Sequence, residues 1–340
     1  MRFNILPPTG TFYKANLHCH STFSDGALTP SEIKDLYRSR GYAVVAFTDH
    51  ELLMDHSYLN DKSFLALTGY EIYINESKPV RSFSERKTTH LNLLASRPDN
   101  VKHICYNPDT VWADPRGIKN QVEYVGEIVN REHSTDFINR LIREANENGF
   151  LVTYNHPVWS LASYDDYKDL KGLFALEVIN GGCVAEGMPD TPGPYDDLLR
   201  LGNRLKCVGT DDNHNRFPMS SPNHDSLRGW IVIRADSLDY GTIFAAIRRG
   251  DFYTSSGPEI SQLYVEDNIL HIECSPVRSI IVNSSGRAAG VIHAPKGETV
   301  VGADIKLHDD FYDYLRVTIE DDCGHRAYSN AVSTKDLGLA

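Results

Sequence analysis

Two histidines one residue apart precede an aspartate in the segment Leu17-His18-Cys19-His20-Ser21-Thr22-Phe23-Ser24-Asp25-Gly26. The residues before this segment predict a strand, in which side chains two positions apart point to the same face. His18 and His20 therefore share a face, Cys19 points away from them, and Asp25 follows the strand. Imidazoles and carboxylates are good ligands for a borderline divalent cation. Because a buried structural histidine needs only one partner, two on one face favour a metal site.

The composition is that of an ordinary globular protein of 340 residues, with 41% hydrophobic and 24% charged residues. The net charge of −12 argues against non-specific binding of long DNA or RNA, which needs a basic surface. The chain has no run of 18 apolar residues and no signal-peptide pattern, and its six cysteines form no CxxC pair. We therefore expect a cytoplasmic protein with reduced thiols that binds no membrane. The oligomeric state is left open.

The domain organisation follows from a change of pattern near residue 257. Up to that point short apolar runs alternate with helical patterns, which predicts an α/β domain over residues 1–257. Thr29, Pro30 and Glu32 have the spacing of a helix start with a capping box. Residues 258–340 have short strand-like runs between turn signals, which predicts a small β-sandwich. The long, polar, proline-punctuated segment 96–133 indicates a functional lid or an insertion.

Further ligand-type side chains follow or lie within other predicted strands. They occur in Thr48-Asp49-His50, Glu71, His90, Asn155-His156-Pro157 and Asp211-Asp212-Asn213-His214. Active sites of α/β barrels lie at one end of the strands, so these side chains are expected to meet. Six of the fourteen histidines fall at such places together with three carboxylates, which chance does not readily produce. The set predicts one metal centre.

These motifs, in this order over residues 11–257, resemble the PHP (polymerase and histidinol phosphatase) superfamily. Residues 245–258 are similar to the end of the domain in stand-alone PHP phosphoesterases, which often carry a following β-domain. The resemblance implies a distorted seven-stranded β/α barrel that holds two or three metal ions and hydrolyses phosphoesters.

The resemblance also implies a set of metal ligands, with Glu71 similar to the carboxylate that bridges two ions. The ligands are His18, His20, Asp25, His50, Glu71, His90, His156, Asp212 and His214. Asp211 stands where the family commonly has serine, and it remains an alternative ligand to Asp212 or an acceptor for a ligand. Asp49, beside His50, is either an outer carboxylate that orients an imidazole or a turn residue.

Such an imidazole-rich set suits Zn, Mn or Fe better than Mg or Ca. Ions about 3.5–4 Å apart would bridge a hydroxide that attacks phosphorus, so no protein nucleophile is needed. The catalytic candidates are Asp49, His214 and Arg86, with Arg81, Lys87 and Arg216 as alternative cations for the phosphate. Trp112 and Trp159 are candidates to stack on a base or sugar.

The predicted function is metal-dependent hydrolysis of a phosphoester, by a metal-bridged hydroxide, on a small phosphorylated metabolite or nucleotide. One alternative is a 5'-3' exonuclease on short oligonucleotides, which needs a basic and aromatic groove. Another is a non-catalytic, metal-stabilised module that binds a partner through its β-domain. Every matched position still has a ligand-type residue, which disfavours this module. Amide hydrolysis is disfavoured because no lysine stands at a suitable strand end.

Overall fold

A computed structural model describes residues 2–287, 290–307 and 313–338 of the chain. The strands of the first part are β1 (Arg2–Asn4), β2 (Thr11–Asn16), β3 (Tyr42–Phe47), β4 (Leu65–Asn75), β5 (Thr88–Ala95), β6 (Phe150–Tyr154), β7 (Ala175–Asn180), β8 (Lys206–Thr210), β9 (Trp230–Ala235) and β10 (Phe252–Ser255). The later strands are β11 (Ile260–Glu266), β12 (Ile269–Val277), β13 (Ser279–Ser284), β14 (Gly290–His293), β15 (Val300–Lys306), β16 (Tyr314–Glu320), β17 (Arg326–Ser329) and β18 (Val332–Ser333). The α-helices are α1 (Pro30–Arg38), α2 (Thr135–Glu147), α3 (Tyr164–Tyr167), α4 (Gly181–Ala185), α5 (Pro192–Arg200) and α6 (Tyr240–Arg249). Single 3₁₀ turns lie at Ser57–Leu59, Phe83–Glu85 and Pro108–Thr110.

The central sheet is mixed, and its first part has the strand order β9-β2-β3-β4-β5-β6-β7-β8. Strands β2 to β4 are parallel, β5 is antiparallel to both neighbours, and β6 to β8 are parallel again. Helices α1, α2 and α6 pack against β3, β6 and β9. The predicted α/β class is thus confirmed.

The two ends of this strand path approach each other without a regular ladder. A parallel bridge joins Cys19, beyond the end of β2, to Asn213, beyond the end of β8. Among the described residues no strand pairing joins β8 to β9, because β9 pairs on its other side with β10. The closed seven-stranded barrel implied by the resemblance is therefore not confirmed.

The C-terminal strands form two antiparallel layers. One is a separate sheet of order β1-β11-β12-β15, and the other continues the central sheet through β10, β17, β16, β13 and β14. Leu263 and Ile272 of the first layer pack in one apolar cluster with Val282 and Val317 of the second. Strand β1 belongs to this C-terminal sheet, although residues 2–4 lie in the predicted first domain. The boundary near residue 257 stays a prediction.

The helix start predicted from Thr29, Pro30 and Glu32 is the start of α1. The predicted capping box is confirmed, because the backbone N–H of Glu32 donates to the Thr29 hydroxyl and the Glu32 carboxylate accepts from the backbone of Thr29. No helix in the described part of the chain is long and apolar enough to cross a membrane.

Segment 96–133 has little regular secondary structure but is firmly attached to the domain. Its Arg131 forms a buried two-pronged ion pair with Glu51, with 2.7 Å between Nη2 and Oε2. His103 accepts a hydrogen bond from the backbone of Leu53 at 2.9 Å and donates to the Glu123 carbonyl at 3.0 Å. These bonds hold the segment beside the ligand-bearing strand ends.

Candidate metal centre

All nine predicted ligands come together around the ends of β2, β3, β6 and β8 and on β4 and β5. They form three overlapping groups: His20, Asp25, His50 and His214; His18, His20, Glu71 and Asp212; and Glu71, His90 and His156. Within each group the candidate ligand atoms all lie within 4.8 Å of one another. His20 and Glu71 each belong to two groups, so the three groups form one continuous cluster.

Glu71 occupies the centre of this cluster and is 1% exposed. Its two oxygens lie 3.0–3.4 Å from ring nitrogens of His18, His20, His50, His90 and His156. Burial alone would raise the pKa of Glu71, but the imidazoles around it outweigh burial and hold that pKa well below its usual range. The carboxylate is thus anionic and faces ring nitrogens of five predicted ligands, a position consistent with the bridging role that the resemblance implies.

The structure distinguishes Asp212 from Asp211. Asp212 Oδ1 lies 3.0 Å from His20 Nε2 and 3.2 Å from His18 Nε2. Asp211 points elsewhere and accepts hydrogen bonds from the Tyr37 hydroxyl and from the backbone amides of residues 227–229. Burial raises the pKa of Asp211 to about 6. Asp211 therefore neither replaces Asp212 in the cluster nor accepts from a ligand imidazole in the described contacts.

Two of the predicted ligands have a left-handed backbone conformation, which is rare for residues other than glycine. His156 and Asp212 have φ values of 24° and 51°. Non-glycine residues in this region cost about 1–3 kcal/mol each and persist where surrounding contacts impose them. The His156 amide donates to Glu177 at 3.0 Å, and the Asp212 amide donates to the His18 carbonyl at 2.9 Å. These bonds aim both side chains into the cluster.

Glu177, on β7, is a site residue that the sequence patterns did not reveal. It is 1% exposed, and its carboxylate accepts from His18 Nδ1 at 2.9 Å, from Asn180 Nδ2 at 2.8 Å and from the Thr210 hydroxyl. A carboxylate that fixes the far nitrogen of an imidazole orients that ring towards a metal. A single glutamate inside an otherwise apolar strand was the available signal.

Asp49 has a different role from the orienting one considered from the sequence. Its Oδ1 accepts from the Ser21 amide at 2.8 Å and the Ser24 hydroxyl at 2.7 Å, and its Oδ2 accepts from the Ser21 hydroxyl at 2.8 Å. No imidazole donates to Asp49 among the described contacts. The orienting role is therefore corrected: Asp49 is the turn residue that shapes the loop between His20 and Asp25.

The cation on the wall of the site is Arg216 and not Arg86. Arg216 lines the cavity above the cluster and forms an ion pair with Asp25. Arg86 is not among the residues that line this cavity, while Arg81 and Lys87 pair with Glu85 and Asp166. The direction of loop side chains decides this, and a sequence pattern does not contain it.

His214, predicted both as a ligand and as a catalytic group, lies between two acceptors. Its Nε2 is 3.3 Å from Asp25 Oδ2, and its Nδ1 is 3.1 Å from the backbone oxygen of Asp212. Asp225 accepts from the His214 amide at 2.7 Å and so fixes the loop that carries it. The geometry matches a metal ligand whose ring is held by its second nitrogen.

The donor atoms of the cluster fit divalent cations. Glu71 Oε2 and His50 Nδ1 are buried and 3.0 Å apart, yet neither has a hydrogen-bond partner within the protein. Buried polar atoms without partners are rare and call for an explanation, such as an ion. Six imidazoles and three carboxylates form a set of borderline and hard donors that is compatible with such an ion.

A cavity of about 930 Å³ opens above the cluster. Its walls include five large aromatic side chains, those of Tyr73, Phe83, Trp112, Trp159 and Phe217. The ring centre of Trp112 is 5.3 Å from that of His50, and the ring centre of Trp159 is 5.0 Å from that of His156. Phe83, Trp112 and Phe217 are each more than half exposed. Both tryptophans named from the sequence thus flank the cluster.

The sequence model of the PHP domain family matches residues 16–206, which is more than half of the chain. The protein therefore belongs to the PHP domain family, and the resemblance found from the motifs is confirmed.

DNA polymerase III subunit alpha of Campylobacter jejuni is 22% identical over 274 residues, which cover 74% of this chain. The chain spans about a fifth of the length of that relative, since the match covers 22% of it.

Two solved structures are similar to this one at low identity. A two-domain protein from Bacteroides vulgatus, which contains a predicted PHP-like metal-dependent phosphoesterase, has a TM-score of 0.47 and 14% identity, with 96% of each chain covered. A candidate metal-dependent phosphoesterase from Bifidobacterium adolescentis has a TM-score of 0.39 and 18% identity, covering 63% of this chain and 92% of its own. These likenesses add nothing to the family assignment.

Proposed function

We propose that this protein hydrolyses a phosphoester of a small metabolite or nucleotide, with two or three divalent metal ions, Zn, Mn or Fe, held by the nine clustered side chains. The observation that carries the proposal is the position of Glu71 among five imidazoles at 3.0–3.4 Å. Bound divalent ions would supply Lewis-acid chemistry and the activation of water.

The chain's own residues support the binding of a phosphoryl group. Arg216 is paired with Asp25 at the cavity wall, and its side chain is 58% exposed, so its guanidinium is accessible to a substrate. A guanidinium is well shaped to bind phosphoryl oxygens in a two-pronged manner. Glu177 and Asp225 hold the His18 ring and the His214 backbone in place before any substrate arrives.

The cavity walls favour a small substrate with a flat organic part. Exposed aromatic faces at the rim of a pocket are typical of ligand contacts, and a nucleobase is one group that stacks on them. Arg216 is the one arginine or lysine among the described residues that line the cavity, which also include Glu186 and Asp225. A groove for an oligonucleotide needs more positive charge than this, so the exonuclease alternative is less favoured.

The first experiment is metal analysis joined to an ester screen. Protein purified without chelator is analysed for bound metal and assayed on p-nitrophenyl phosphate, bis-p-nitrophenyl phosphate and nucleotides. We expect two or three equivalents of transition metal, with hydrolysis abolished in Glu71→Gln and retained in the control His271→Ala, a half-buried histidine of β12 outside the cluster. Bound metal without hydrolysis of any ester would favour the binding-module alternative. Failure to bind Mn²⁺ or Zn²⁺ after reconstitution would refute the proposal.

A further inference from the structure

The outer edge of β8 is held by side chains instead of a neighbouring strand. At Cys207 the backbone N–H donates to Asn330 Oδ1 at 3.0 Å, and the backbone oxygen accepts from the Thr254 hydroxyl at 2.8 Å. In the described part of the chain, β7 is the strand that pairs with β8. Two side-chain hydrogen bonds thus take the place of the missing ladder. We call this contact of β8 with Thr254 and Asn330 the seam.

Asn330 comes from the C-terminal β-region, directly after β17, and is 4% exposed. Its Nδ2 donates to the carbonyl of Gly250 at 3.1 Å and to that of Phe252 at 2.9 Å. Both amide hydrogens and the amide oxygen are therefore used. One side chain joins β8, the end of α6 and the start of β10.

The other end of β8 leads directly into the metal cluster. After Thr210 the chain continues to Asp212, whose amide donates to the His18 carbonyl at 2.9 Å, and to Asn213, whose carbonyl accepts from the His20 amide at 3.1 Å. The loop that carries Asp212 and His214 is thus fixed to the end of β2, while the start of β8 is fixed by Asn330.

The middle of the seam leaves β8 no room to shift. A Cβ added at Gly209 would lie 2.8 Å from Thr254 Cγ2 and 3.0 Å from the carbonyl oxygen of Trp230. Thr254 is fully buried. Because the backbone and the buried side chains are close-packed here, a displacement of Cys207 would also displace the rest of β8 up to Asp212.

We infer that Asn330 is a positioning residue for the ligand loop 211–214, so that the C-terminal β-region forms part of the scaffold of the metal centre. Without its amide, the Cys207 N–H and the Gly250 and Phe252 carbonyls lose their partners in a buried seam. Buried groups left in this way draw in water or shift, and β8 loses its outer support. The inference rests on the proposed metal centre only for its effect on metal affinity.

The test compares Asn330→Ala with a control that destabilises the same β-region elsewhere. Leu270, in β12, is fully buried, and Leu270→Ala removes apolar contacts without touching β8. The full chain is measured in two ways: amide hydrogen exchange of residues 207–214 in the metal-free protein, and titration with Mn²⁺. Thr254→Val, which removes one seam hydrogen bond and keeps the shape, is the second variant and decides the test if Asn330→Ala does not fold.

We expect Asn330→Ala to increase exchange in residues 207–214 and to weaken Mn²⁺ binding about tenfold, the lower range for outer contacts of metal ligands. Thr254→Val should also increase exchange and weaken Mn²⁺ binding, but by less. Leu270→Ala should lower the melting temperature and leave the exchange of residues 207–214 and the Mn²⁺ affinity unchanged. Unchanged exchange in a folded seam variant, or equal effects in Leu270→Ala, would overturn the inference. A wild type that binds no Mn²⁺ would refute the proposed function, while the exchange comparison would still decide the role of Asn330.

Discussion

His18 Nδ1 donates to Glu177 Oε1 across 2.9 Å, and both side chains are fully or almost fully buried. The same carboxylate accepts from the Thr210 hydroxyl, from Asn180 and from the His156 amide. One glutamate on β7 therefore connects three of the ligand-bearing strand ends: His18 beyond β2, His156 beyond β6, and the start of the Asp212 loop beyond β8.

Glu177→Gln should weaken metal binding, because the amide NH₂ of glutamine would face donors where a carboxylate oxygen accepts now. Loss of an outer partner of a metal ligand typically reduces affinity by about 10–100-fold. Calorimetric titration of the variant with Mn²⁺ measures the change. The exposed Glu273→Gln serves as the control, and a wild-type affinity in Glu177→Gln would show that the His18 ring needs no such support.

Substitution of Asp212 and substitution of Asp211 should affect different properties, metal content in the first case and stability in the second. Asp212→Asn is expected to lose at least one equivalent of metal, since its carboxylate faces His18 and His20 at about 3 Å. Asp211→Asn is expected to keep its metal and to lose stability by roughly 1–3 kcal/mol, because buried donors lose an acceptor. Metal analysis and denaturant unfolding of both variants test this. The opposite outcome would reassign the ligand.

Arg216→Ala should raise the KM for a phosphomonoester about tenfold or more, because the guanidinium lines the cavity above the cluster. Arg86→Ala should leave KM close to that of the wild type, since Arg86 does not line that cavity. Steady-state kinetics of the two variants with the same ester give the comparison. Equal effects would place the phosphate nearer the 81–87 loop than the geometry indicates.

His103 should make the fold sensitive to acid. Burial lowers the pKa of His103 to about 4 from an ordinary value near 6.5, so the unfolded chain takes up the proton first as the pH falls. The neutral ring therefore contributes its full stability above pH 6.5 and loses it between about pH 6.5 and 4, roughly 3 kcal/mol in all.

The variant His103→Gln keeps a side-chain acceptor for the Leu53 amide and does not titrate. As the pH is lowered from about 6.5 to 4, the free energy of unfolding of the variant should fall less steeply than that of the wild type. Denaturant unfolding of both proteins at several pH values, with chelator present throughout, measures the difference in slope. Parallel curves would show that His103 is not the group that titrates.

Local patterns predicted side chains that meet in one cluster, because each motif depends on a short stretch of chain. His18 and His20 share a face through the period of a strand, and the helix start at Thr29 depends on three neighbouring residues. Glu177 was not predicted as a site residue, because nothing within β7 indicates that His18, 159 positions away, is its partner. The seam at Cys207 was equally hidden, since Asn330 is 123 residues distant and makes its contacts only in the folded protein.

The pairing of Phe3 in β1 with Val265 in β11 sets an order of events during synthesis. The first strand leaves the ribosome about 260 residues before its partner, which at roughly 5–20 residues per second is a delay of roughly 13 to 50 seconds. During that interval the ligand-bearing strands β2 to β8 emerge one after another and can pair as they appear, while β1 still lacks its partner strand. Strand β1 is thus among the last strands to pair, although it is among the first to be synthesised.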